Sequence, residues 1–455
     1  MPARLIDSLG TTGPLAEVFS DRSVLQAMLS FEAALARAEG KVGVIPKAAA
    51  AAISAAAESA EFDSSDLSQS ARRAGTLAIP FVKKLTEWVK AKDSEAARYV
   101  HWGTTSQDVT DTALILLLNR AHPLLAEDLH RLEDALGGLS EEHKNTVMLG
   151  RTLLQAAPPI TFGLKAAGWL GAIRRSRLRM DIAFRETSVL QFGGANGTLA
   201  SLGDKGVAVG RALAAELGLG FPDAPWHTHR DRLAAYVTSC GVLTGCLGKM
   251  ARDVSLLMQG EVAEALERVV DGRGGSSTMP NKRNPVGSTL ALAAANRVPG
   301  LVASFLSSMV QEHERAVGGS QAEWPIVAAV VEATGLASAS MADKANTLEI
   351  SSAKMKENIS ATKGSVFAER AMMLLGPTLG RSAAYEIVRK ATMKSVAEKR
   401  RLSEVLAEIP EVTGILSQQT LRLMETPEEY LGVAEEFRKR LLSGRFPLQD
   451  GEEEQ

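Results

Sequence analysis

The stretch Asp231–Glu267, DRLAAYVTSCGVLTGCLGKMARDVSLLMQGEVAEALE, decides the fold. It contains no proline, and its apolar and small residues lie on most faces of a helical wheel, not on one stripe. A helix apolar nearly all round is buried, as in the centre of a bundle. Its glycines and alanines let neighbouring helices approach closely. Outward from this segment the pattern repeats. No proline falls between Pro159 and Pro222, between Pro225 and Pro280, or between Pro325 and Pro377, and each interval is rich in good helix formers. DRSVLQAMLSFEAALARAEG, Asp21–Gly40, puts Val24, Leu25, Met28, Phe31 and Leu35 on one stripe and predicts a helix stopping at a glycine. KAAAAAISAAAESAE and the acidic DGEEEQ are the only biased tracts, and strand signals are few. The prediction is an all-α protein. It has an N-terminal helical domain over 1–105, a long central bundle over 106–360 and a C-terminal helical domain over 361–455.

Composition excludes several partner classes. The 455 residues carry 51 Lys and Arg against 53 Asp and Glu, a net charge of −2, which advertises neither nucleic acid nor a membrane surface. The opening MPARLIDSLGTTGP shows no cationic head followed by a long apolar run. The richest apolar run, ALILLL, is too short to span a bilayer. Cys240 and Cys246 fall on different faces of a helix, which suits a reducing compartment, and no Cys/His spacing suggests a metal site. A cytoplasmic protein without metal is expected.

Four polar segments interrupt the scaffold. HWGTTSQDVTDTA, His101–Ala113, reads as a capping-box-like helix start, with Asp108 three residues after Thr105. It is either a cap alone or, with free hydroxyls and amides at a helix N-terminus, a carboxylate cradle with His101 beside it as proton donor. In GRTLLQAAPPITFG, Arg151 and Gln155 are four apart, so on a helix they would share a face and grip an anion; the alternative is a surface pair. QEHERAVGGSQAEW places His313, Glu314 and Arg315 near a helix end before two glycines, a solvated terminus or a further cationic contact. GGSSTMPNKRNP, Gly274–Pro285, is donor-rich between glycine hinges and a proline, the composition of a mobile lid closing on an anion. It lacks the spacing of a nucleotide phosphate loop, and no strand is predicted before it.

The last of these, GSSTMPNKRNP, resembles the signature loop of the fumarase/aspartase superfamily, and the first two polar segments match its other signature regions in the expected order. FGGANGTLASLGDKG, PWHTHRDRL, LGKMARDVSLLMQ and RVPGLV followed by QEHERAVG are similar to the bacterial 3-carboxy-cis,cis-muconate cycloisomerase branch. The resemblance, which runs nearly end to end, implies a three-domain helical fold whose central helices form a homotetramer. Each active site then collects signature segments from three subunits. It implies cycloisomerisation of 3-carboxy-cis,cis-muconate to 4-carboxymuconolactone, in protocatechuate (β-ketoadipate) catabolism, with no metal or organic cofactor.

By the same resemblance Ser276 is the acid/base exchanging the proton alpha to a carboxylate. A serine hydroxyl needs its alkoxide favoured by nearby cationic and amide groups to act so. Lys282 and Asn284 bind the reacting carboxylate, Ser277 and Met279 shape the loop, Thr105, Ser106, Arg151 and Gln155 hold the other carboxylates, and Arg315 meets the additional one. One departure stands out. Where many relatives carry a histidine in the second region, this chain has Leu153 and Ala156. A lactonising enzyme misses that acid least, because in reverse its leaving group is a carboxylate that departs unprotonated. His101 is the remaining histidine candidate. The alternatives are another superfamily lyase, of the adenylosuccinate type or acting on a substituted succinate, and a non-catalytic structural relative.

Overall fold

The computed structural model describes residues 5–268, 275, 279 and 282–444. Among them helices dominate and only short strands occur, so the all-α class stands. The first long helix, α1 (Asp21–Val42), is capped by Ser20, whose side chain accepts from the Ser23 N–H. It runs past the predicted stop at Gly40 and ends at Gly43, φ 76°. Gly40 has another job: a Cβ there would sit 2.5 Å from the Cβ of Ala50 in α2 (Lys47–Glu58). The glycine was read as punctuation but is a close-approach point between two helices.

Farther along come α3 (Ser106–Glu142), a hairpin of β1 (Val147–Thr152) and β2 (Gln155–Thr161), α4 (Phe162–Thr187) and α5 (Asp231–Leu257). Then follow β3 (Ala265–Glu267), α6 (Val286–Ser308), α7 (Gly319–Ala345) and β4 (Leu348–Ile350), which pairs antiparallel with β3. The packing expected of α5 is present. A Cβ on Gly241 would stand 3.0 Å from Val302 and one on Gly248 2.5 Å from Ala295, both in α6. Thr244 and Thr334 share a buried hydroxyl contact of 3.1 Å between α5 and α7.

Among the described residues three helices, α5, α6 and α7, are long and apolar enough to cross a membrane by length and composition, although none of them is one uninterrupted apolar run. In α5 and α7, 61% of the apolar window is buried within the protein; in α6 only 22% is. Helix packing thus accounts for most of the apolar content of α5 and α7, while α6 presents a face that its own chain leaves open. The free cysteines stand as expected, Cys240 buried and Cys246 half-buried.

The chain divides into two compact units. One comprises Met1–His130, Arg175–Gly248 and Leu290–Ser340, the other Arg131–Arg174, Lys249–Thr289 and Met341–Gln455. In the second, α8 (Ala368–Leu379) and α9 (Arg381–Glu398) enclose a small core of their own around Leu375, Val388, Leu402 and Leu406.

Candidate active site

In the first unit the site grows from the N-terminus of α3. The predicted cap is real: Thr105 N–H and Thr104 Oγ1 both donate to Asp108 Oδ2, each at 3.1 Å. The cap is also only part of what Asp108 does. Its fully buried carboxylate accepts from Gly193 N–H at 3.0 Å, Gly194 N–H at 2.9 Å and His227 Nε2 at 2.7 Å. A carboxylate offers only lone pairs here, so His227 carries its proton on Nε2. One turn on, Asp111 holds Arg230 by two bonds of 2.8 and 3.0 Å, and Arg230 also pairs with Glu323 at 2.6 Å, all three side chains being buried. Charge-assisted bonds of this density fix the backbone around them.

Arg315 lies against this framework. It was expected near a helix end; it sits instead in the connector between α6 and α7. Thr228 Oγ1 tethers that connector by donating to His313 O at 2.9 Å. The Arg315 guanidinium donates to Gln107 Oε1 at 3.1 Å, Gly194 O at 3.2 Å and Ala195 O at 2.8 Å. All three acceptors are neutral, and among the described residues no carboxylate pairs with it. It borders a cavity of about 400 Å³ together with Thr105, Ser106, Gln107, Gln321 and Trp324. Three of the predicted residues, Thr105, Ser106 and Arg315, are therefore neighbours. An uncompensated cation, hydroxyls and the N-terminus of a long helix suit an anion.

His101 belongs to the same unit, at φ 60°, and its Nδ1 is 2.6 Å from Glu32 Oε1 in α1. Burial works against its protonation, but the charge and hydrogen bond of Glu32, with Asp108 adding, raise its pKa above the ordinary value.

The second unit holds the remaining candidates. Arg151 and Gln155 are not on a helix. They flank the tip of the β1–β2 hairpin, where Thr152 pairs with Gln155 and Arg151 with Ala156 across a two-residue turn of Leu153 and Leu154. Four-residue spacing fits both geometries, and the prolines of AAPPIT were the overlooked signal against a helix. The Arg151 guanidinium is already paired to the buried Glu264, which leaves little unmatched charge for an anion. Gln155 is exposed.

Around the polar loop, Asn284 Nδ2 donates to Gly275 O at 3.2 Å, Lys282 N–H to Met279 O at 3.1 Å, and the Lys282 side chain is exposed. Ser276 and Ser277, the predicted base and its neighbour, lie outside the described residues. Buried Glu267, at the end of β3, accepts from Gly287 N–H, Ser288 N–H and Ser288 Oγ at 3.0, 2.9 and 2.6 Å, joining the segment before the loop to the start of α6. Among the described residues no cluster of His, Cys, Asp or Glu could hold a metal.

Residues 9–300 match the family model described as Lyase, and 364–441 match Adenylosuccinate lyase C-terminus. A 3-carboxy-cis,cis-muconate cycloisomerase from Bradyrhizobium diazoefficiens is 48% identical over 93% of this chain and 94% of that protein. The enzyme of the same name from Pseudomonas aeruginosa is 45% identical over 98% and 97%. The crystal structure of 3-carboxy-cis,cis-muconate lactonizing enzyme from Pseudomonas putida superposes with TM-score 0.90 at 42% identity, covering 97% of this chain and 98% of the other. The chain belongs to the fumarase/aspartase superfamily, in its cycloisomerase branch.

Sequence reasoning about this cycloisomerase-branch chain missed the partners of Asp108. Gly193, Gly194 and His227 stood inside FGGANGTLASLGDKG and PWHTHRDRL, segments noted for their resemblance and not for any role. Their separation of 85 to 119 residues from Asp108 left no local signal.

Proposed function

We propose that this chain lactonises 3-carboxy-cis,cis-muconate to 4-carboxymuconolactone. A carboxylate oxygen of the substrate bonds to the ring-closing carbon, the displaced π pair moves to the carbon alpha to another carboxylate, and that carbon takes a proton. No atom leaves, so no leaving group needs protonating. That fits a chain with Leu153 and Ala156 where many relatives carry histidine. The observation that carries the reading is the uncompensated Arg315 guanidinium beside Thr105 and Ser106, a place for a carboxylate on a polyanion.

In this reading Ser276 supplies the proton, Lys282 and Asn284 stabilise the charge that develops on the reacting carboxylate, and Ser277 and Met279 shape the loop. Gln155 contacts a second carboxylate, and Arg151 orients the hairpin through Glu264. His101, whose pKa Glu32 raises, is the histidine candidate for a proton donor beside the site. The chain works as a homotetramer with sites shared between subunits, organised in the three domains expected from the sequence. Support comes from apolar side chains left uncovered on long helices: Leu178 at 40% exposure, Val242 at 49% and Leu306 at 43%.

Mixing the protein with 3-carboxy-cis,cis-muconate and following diene absorbance tests the proposal. Absorbance is lost with the intact protein, and Ser276→Ala slows that loss by about 100- to 10,000-fold. Unchanged absorbance with intact tetramer overturns the reading.

A further inference from the structure

We propose that His227 is a positioning residue that places the cation reading the substrate's 3-carboxylate. The inference rests on the proposed function, in which Arg315 meets that carboxylate. His227 is 4% exposed and does not border the cavity, so it does not touch substrate itself. Its Nε2–H is bound to Asp108 Oδ1, and the same carboxylate draws in the N–H groups of Gly193 and Gly194. Gly194 then turns its carbonyl, with that of Ala195, onto the Arg315 guanidinium.

Close packing makes this chain of contacts stiff. Gly194 has φ +67°, a left-handed conformation suited to glycine. A Cβ on Gly193 would sit 2.7 Å from His227 Cε1 and from Pro225, so the histidine ring also walls the turn sterically. The His227 carbonyl takes Gln107 Nε2–H at 2.8 Å, and Gln107 Oε1 is the third acceptor of Arg315. Both supports of the guanidinium, the 194–195 carbonyls and Gln107, therefore refer back to one buried residue. Removing the imidazole deletes one of five donors to Asp108 and the wall behind Gly193, which lets the turn and the guanidinium drift. Displacements well under an ångström matter for an oriented charge.

Steady-state kinetics separate this role from general scaffolding. For His227→Ala the KM for 3-carboxy-cis,cis-muconate is expected to rise about tenfold or more, with kcat within about twofold. The inhibition constant of cis,cis-muconate, which lacks the 3-carboxylate, stays within about twofold. His227→Gln, which keeps a donor, recovers most of the loss. Arg315→Ala provides the reference, raising the same KM by about 30- to 100-fold as a charge-assisted contact is lost. Should His227→Ala not assemble, His227→Asn gives the same comparison. Parallel loss toward both ligands assigns His227 to bulk scaffolding and overturns the inference, as does an unchanged KM. An unchanged KM in Arg315→Ala removes the underlying reading of Arg315 and the inference with it. A raised KM there beside an unchanged one in His227→Ala sinks the inference alone.

Discussion

Both terminal nitrogens of Arg151 are bound to the buried carboxylate of Glu264, at 2.8 and 2.7 Å, and Asn358 Nδ2 completes the set at 2.8 Å. A guanidinium matched this way holds the β1–β2 hairpin against Glu264, the residue just before β3, more than it offers charge to a ligand. Arg151→Met leaves the Glu264 carboxylate buried without its counterion, a loss of about 3–5 kcal/mol. Arg151→Lys does not restore it, since an ammonium cannot make the paired bonds. Denaturant unfolding should show a lower midpoint for both variants, with Arg151→Met/Glu264→Met recovering much of the difference. A wild-type midpoint in Arg151→Met would show that the pair contributes nothing to the fold.

The turn those strands share is made of two leucines. Leu153 and Leu154 have φ 50° and 64° and are 97% and 75% exposed. Two-residue hairpins favour positive φ at both central positions, which Asn-Gly satisfies and branched apolar residues do not. Each leucine thus carries strain of about 1–3 kcal/mol. Leu153→Asn with Leu154→Gly is expected to raise the thermal midpoint. If the tip lies against the substrate of a neighbouring subunit, as the shared-site proposal has it, the same pair of changes lowers kcat/KM by roughly ten- to a hundredfold. A variant that is both more stable and fully active would place the tip away from every site.

Helices with self-contained signals were legible: the apolar stripe of α1, and the Thr105/Asp108 spacing that opens α3. Less legible was whatever depends on a partner far along the chain. Gly40 reads as a stop in isolation because nothing nearby says that Ala50 will press against it. The Arg151/Gln155 spacing suits a helix face and a hairpin tip equally, and only Pro158 and Pro159 tilt it toward the strand. Asp108 could be read as a cap, since Thr104 and Thr105 adjoin it. Its grip on Gly193, Gly194 and His227 is set by tertiary folding alone. The site was thus readable as residue types and not as a network.

The ion pair of His101 and Glu32 makes stability depend on pH. The His101 pKa is raised in the folded chain, so it keeps a proton that the unfolded chain loses near its ordinary 6.5. That contribution is complete below pH 6.5 and declines as pH climbs through the folded value. The stability difference between wild type and His101→Gln, taken from denaturant curves, should shrink from pH 6 toward pH 9. Replacing Glu32 by Gln leaves burial as the main influence and brings the imidazole pKa below 6.5, readable by histidine-selective NMR. A pKa unmoved by that replacement would mean that Glu32 is not the cause.

Two turns along α1 from Glu32, Glu39 has neither carboxylate oxygen hydrogen-bonded within the described structure, and it is 1% exposed. Burial, and secondarily the Glu32 charge, push its pKa up to about 9. The folded chain therefore holds a proton on Glu39 across a range where the unfolded chain, ionising near 4.5, has released it. Stability from this group is complete below pH 4.5 and falls as pH rises toward 9, where the carboxylate charges inside the fold. Glu39→Gln removes the titration and keeps the shape. Its unfolding midpoint should match or fall slightly below wild type at pH 5 and exceed it by a margin that widens steadily to pH 9. A margin constant across that range would mean that Glu39 stays ionised, and a cation would then have to stand against it in the assembled protein.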